Sequence, residues 1–122
     1  MSLLHDFAEA RVGDLNTVQK KYVPADEPAA LEDATRGLVF GQNMINLVRE
    51  YNEGRTTEAK LAHDADQLAL ILALKDLMDI GYKPPKGWLK NVIKRVKTET
   101  GKKITRAIMS TGRDDWWIST AA

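Results

Sequence analysis

The chain has 122 residues with 18 basic and 17 acidic side chains, a formal net charge of +1, and 43% hydrophobic residues. That length suits one domain, residues 1–122, with a real core, and the whole-chain charge gives no reason to expect a nucleic-acid partner. The absence of cysteine excludes disulfides, thiolate metal sites and cysteine nucleophiles, which fits a cytoplasmic protein.

The opening stretch, His5-Asp6-Phe7-Ala8-Glu9 followed by Gly13-Asp14-Leu15-Asn16-Thr17, carries most of the reactive side chains. Residues 3–12 read as the end of a helix, on which Glu9 lies beside both His5 and Asp6. An imidazole nitrogen and a carboxylate oxygen side by side suit Mn, Fe, Co, Ni or Zn, and a further carboxylate can steer a water. Gly13 supplies the helix stop in a left-handed position, leaving residues 14–17 as a polar loop at the mouth of the site. No apolar h-region opens the chain, so no signal peptide is expected.

Pro24 marks residues 20–24 as a loop. Asp26 is a plausible N-cap with Glu27 and Pro28 in the first turn, and Leu31, Ala34 and Leu38 mark one face of that helix. Gly37 and Gly41 predict a break, then a helix from about Gln42 to Tyr51 with Met44, Leu47, Val48 and Tyr51 as its stripe and Gly54 as its end. Thr56 or Thr57 caps a long helix to about Ile80, stopped by Gly81, with so little polar surface that it reads as the central core helix. Its most apolar run, Leu68 to Leu74, is far shorter than the ~20 residues of a membrane span. Asp64 and Asp66 interrupt its start. A carboxylate buried in such a helix needs a pair or a metal, so the Asp64/Asp66 pair is the natural partner for the opening site. Both could be solvated near a helix N-terminus, the reading taken for Asp64.

Lys83-Pro84-Pro85-Lys86-Gly87 predicts a rigid turn. Trp88, Leu89, Val92, Ile93 and Val96 then define a helix to about Gly101, and Ile104, Ala107 and Ile108 a short final one. Lys90, Lys94, Lys97, Lys102 and Lys103 read as the solvated face of these helices, with a nucleic-acid stripe as the lesser reading. Trp88, Trp116 and Trp117 read as core or interface anchors. Strand signals are nearly absent, so the fold class is all-α.

Two blocks together resemble the HD-domain phosphohydrolases, in the branch of 5′-deoxynucleotidases. One is His5-Asp6-Phe7-Ala8-Glu9 with Gly13 to Thr17; the other is Glu50-Tyr51-Asn52-Glu53-Gly54-Arg55-Thr56-Thr57-Glu58-Ala59-Lys60-Leu61, with Asp66 five residues later. The resemblance covers residues 3 to about 75 and implies an HD-type helical bundle forming a homodimer. It further implies that His5, Asp6 and Asp66 bind a divalent metal (Mn, Co, Mg, Zn or Fe), that Glu9 orients the attacking water, and that Asp14 contacts water or substrate. Thr17 matches a polar residue near the nucleotide. The implied reaction removes the 5′-phosphate from a (deoxy)ribonucleoside monophosphate. The family pattern also has a histidine on a helix upstream of the His-Asp pair. No match to it precedes His5, so a fragment or an incomplete site is expected, and His63, one turn before Asp66, is the alternative donor. The competing expectations are a degenerate HD domain serving as a regulatory or interaction module, and a helical nucleic-acid-binding domain.

Overall fold

The computed structural model describes residues 1–83 and 87–118. Among them there is no strand, and the elements are helices: α1 (Glu9–Val12), a 3₁₀ turn (Gln19–Lys21), α2 (Glu27–Thr35), α3 (Gly41–Glu53), α4 (Thr57–Asp79), α5 (Trp88–Ile93), α6 (Glu99–Ser110) and α7 (Asp115–Ile118). The rigid turn expected at residues 83–87 falls partly on residues 84–86, outside the described residues. No helix among the described residues is long and apolar enough to cross a membrane.

The chain forms two compact units, Met1–Ala59 and Lys60–Ala122. In the first, Ala8, Leu31 and Val48 are buried, with Leu4, Phe7, Ala30 and Ile45 packed against them. The apolar members of the opening stretch therefore anchor the segment that carries His5 and Asp6. Asp26 caps α2 as expected, its carboxylate accepting from Ala29 N–H at 3.0 Å, with Pro28 in the first turn. α2 ends at Thr35, so Leu38 lies beyond it and is 42% exposed rather than continuing the Leu31 face. α3 buries Met44, Val48 and Tyr51, leaves Leu47 exposed, and ends at Gly54.

In the second unit, Ile71 and Leu74 of α4 pack with Val92 and Val96, flanked by Leu89, Ile93, Ile108 and Met109. Thr56 Oγ accepts from Ala59 N–H at 3.1 Å at the start of α4. α4 is not buried all round: Leu61, Leu72, Leu77 and Met78 are exposed, while Leu68, Leu70, Ile71 and Leu74 serve the core.

The last part of the chain departs most from the sequence reading. α5 ends at Ile93, and α6 runs unbroken from Glu99 to Ser110, so Gly101 lies inside a helix instead of ending one. The cause is a local cap coupled to a distant carboxylate. Thr98 Oγ accepts from Gly101 N–H at 3.0 Å, and Asp64 accepts from Lys97 N–H (2.8 Å), Thr98 N–H (2.7 Å) and Thr98 O–H (2.6 Å). Asp64 is only 2% exposed, which corrects its reading as a solvated residue. Glycine is required at 101 because a Cβ there would stand 2.7 Å from Val96 Cγ1 and closer still to Asp64.

Candidate metal centre

His5 and Asp6 sit in a run of tight turns, not in an α-helix, which starts only at Glu9. Phe7 N–H donates to Leu4 O at 3.0 Å and Glu9 N–H to Asp6 O at 2.9 Å, bonds of the three-residue kind. In such turns residues three apart eclipse, so Asp6 and Glu9 share a side, as expected. Gly13 stops α1 with φ 81° and ψ 156°, a region open essentially to glycine, rather than the left-handed helical conformation expected.

The His5 ring is held at both nitrogens. Nδ1 lies 2.8 Å from Ser2 O and Nε2 lies 3.0 Å from Asp6 Oδ2. A carbonyl and a carboxylate only accept, so the Ser2 contact takes a proton on Nδ1 and the Asp6 contact takes one on Nε2, the position an ion would occupy in its place. The ring also lies 4.8 Å from Tyr51, tilted by 45°. The His5 side chain is 17% exposed and that of Asp6 61%, so the edge they share opens to solvent.

An imidazole nitrogen and a carboxylate oxygen are donor types that divalent ions accept. Two neighbouring donors on an ion with bonds of about 2.1 Å at right angles stand about 3 Å apart. The Nδ1–carbonyl bond is the outer contact that ligating histidines generally make. Among the described residues of either unit, no group of three or more His, Asp or Glu side chains is placed to hold a metal, so the two-donor edge is what the first unit offers.

Glu9 is half-buried, and its carboxyl lies above the ordinary range. Burial is the main cause, the charges of Asp6 and Asp14 add to it, Lys20 opposes, and Glu27 contributes slightly. The opening segment is therefore a negative locus that a cation would relieve. Asp14 and Thr17 are exposed on the loop after Gly13. The residue that shapes this loop is Asn16, which the sequence reading passed over. Its Oδ1 accepts from Val18 N–H (2.9 Å) and Gln19 N–H (3.0 Å), and its own N–H donates to Gln19 Oε1 (2.9 Å). A loop Asn two or three residues before a turn is the available signal for it.

Asp66 belongs to the second unit, on α4, where it is exposed and accepts from Gln67 Nε2 at 2.8 Å. His63, one turn earlier on α4, is half-buried.

His5 also lines a cleft of about 290 Å³ within the first unit. Its apolar wall is Ala8, Leu31, Ile45 and Val48, and Arg49 and Asn52 are among its polar residues. This is close to the lower end of the ~300–1,000 Å³ range of small-molecule sites.

Comparison with known proteins identifies the family. A family model described as "HD domain" matches residues 1–108. No curated protein and no solved structure matches the chain.

Proposed function

The chain belongs to the HD-domain family, whose members are generally metal-dependent hydrolases, and from that premise we propose a divalent-metal phosphohydrolase that removes the 5′-phosphate from (deoxy)ribonucleoside monophosphates. The observation that carries this reading is the His5–Asp6 edge, with Nε2 and Oδ2 3.0 Å apart and Nδ1 tied to Ser2 O. In this proposal His5, Asp6 and Asp66 hold the ion. When bound, a divalent ion would neutralise phosphoryl oxygens and make water beside it a far stronger acid.

The remaining roles fall to residues of this chain. Glu9 orients the attacking water and accepts its proton. Water oxygen bonds to phosphorus as the P–O5′ bond breaks, and the nucleoside oxygen leaves as a hydroxyl with the proton that Glu9 took from the water. Asp14 contacts the water or the substrate, and the Thr17 hydroxyl lies near the nucleotide. The cleft that His5 lines receives the nucleoside, with Ala8, Leu31, Ile45 and Val48 against its apolar faces. The family expectation of a homodimer accompanies this proposal.

The test is phosphate release from a panel of deoxyribonucleoside 5′-monophosphates with Mn, Co, Mg, Zn or Fe(II) added in turn. Turnover lost in Glu9→Gln while metal binding persists supports the roles given. Metal binding without turnover of any nucleotide would assign the chain to a regulatory module instead.

A further inference from the structure

The net charge of +1 conceals a segregation. Met1–Ala59 carries six basic and ten acidic residues, whereas Lys60–Ala122 carries twelve basic and seven acidic ones. The excess is concentrated in residues 88–106, where seven cations face one acid, Glu99. Lys90 is on α5, Lys94, Arg95 and Lys97 are in the link, and Lys102, Lys103 and Arg106 are on α6; all are exposed.

Several cations elsewhere in the chain are matched to a carboxylate. Arg11, Arg36, Arg55, Lys75 and Arg113 each stand against a carboxylate within 4 Å. In residues 88–106 the ion pair among the described residues is Lys102 with Glu99, at 2.8 Å. Helical spacing gathers the rest. Gly101 and Thr105 are the buried residues of α6 and Val92 that of α5. Lys102 and Arg106 are four apart, as are Lys90 and Lys94, so each pair shares a side. Like charges at that spacing weaken a helix, and a segment that keeps them with one counter-acid presents a field for an outside polyanion. Nor do they serve the start of α6, because Asp64 already occupies it.

We propose that the exposed basic surface of α5, the link and α6 binds single-stranded nucleic acid through its phosphates. Trp88, 43% exposed at the start of α5, offers a ring on which a base stacks. A lipid surface is the poorer match. An interfacial helix lays a continuous apolar face into the bilayer, but Ile108 and Met109 of α6 pack into the core of their own unit.

The experiment is fluorescence anisotropy of a labelled 20-nucleotide oligo(dT) titrated with the full chain between 50 and 200 mM salt. Engagement of six cations gives a log–log salt slope of about −4, a loss of affinity of a few hundred-fold across that range. The triple variant K94Q/K97Q/K103Q, all exposed positions, reduces the slope by about 2 while circular dichroism and nucleotide hydrolysis stay unchanged. Trp88→Leu weakens binding about tenfold at fixed salt. Four results would overturn the proposal: no binding at 50 mM salt, a triple variant that binds as the parent does, stronger binding to phosphatidylserine vesicles than to the oligonucleotide, or salt-sensitive self-association in place of oligonucleotide binding. None depends on the chain being a phosphohydrolase, so this proposal and that reading fail separately.

Discussion

Asp64 shows how far one side chain reaches. Burial alone would raise its carboxyl, but bonds from Thr98 O–H, Lys97 N–H and Thr98 N–H, with the Lys97 charge, hold it below the ordinary carboxylate value. The sign of the pH effect follows. A carboxyl depressed in the folded chain contributes stability that is present above its unfolded pKa of about 3.9 and is lost as pH falls through the folded value. Asp64→Ala strands two backbone donors and a hydroxyl and is expected to cost about 3 kcal/mol at pH 7. Urea unfolding at pH 7 and pH 3 checks both statements: the gap between parent and variant should narrow in acid. The sequence showed Asp64 near the start of a long helix, where a solvated carboxylate favoured by the helix dipole is the ordinary reading. Its partners are 33 and 34 residues away, and no local pattern announces a contact of that separation. The His5–Asp6 pair, by contrast, was legible as an imidazole beside a carboxylate in the sequence, and the opening turns bring Nε2 and Oδ2 to 3.0 Å.

At the scale of elements, caps decide where the sequence succeeds and fails. Asp26 with Pro28, Gly54 and Thr56 are local signals, and each bounds a helix where its residue type predicts. The α5–α6 break was misplaced because Gly101 is a strong stop signal, while the true boundary is set by Thr98 backed by Asp64. Gly101→Ala should therefore destabilise the chain although alanine favours helix, by about 2 kcal/mol, since the added carbon has no room beside Val96 and Asp64. A thermal melt with a higher midpoint for the variant would refute this packing account. Asp26→Ala should cost about 1 kcal/mol in a denaturant titration, the usual worth of an N-cap. The opening turns were misread as helix for another reason. Leu4, Phe7 and Ala8 all serve the core, and a tight turn with residues three apart eclipsed satisfies them as well as an α-helix does.

For the whole molecule, the all-α class and family membership were legible from the missing strand signals and the two ordered blocks. Which distant carboxylate joins His5 and Asp6 was not, because it depends on how segments some sixty residues apart meet. The proposed function makes the metal a stabilising ligand of the native chain. An ion at a hundred times its Kd should add about 2.7 kcal/mol to the unfolding free energy, visible as a rise in Tm that a chelator reverses. Asp6→Ala should abolish that rise while leaving the metal-free Tm nearly unchanged, because the Asp6 side chain is 61% exposed.

The most direct test is isothermal titration of the metal-free chain with Mn²⁺, run beside Asp6→Ala and Asp66→Ala. The account predicts one ion per chain for the parent and at least a hundredfold weaker binding for each variant. A parent that takes up no ion, or variants that bind as tightly as it does, would contradict it.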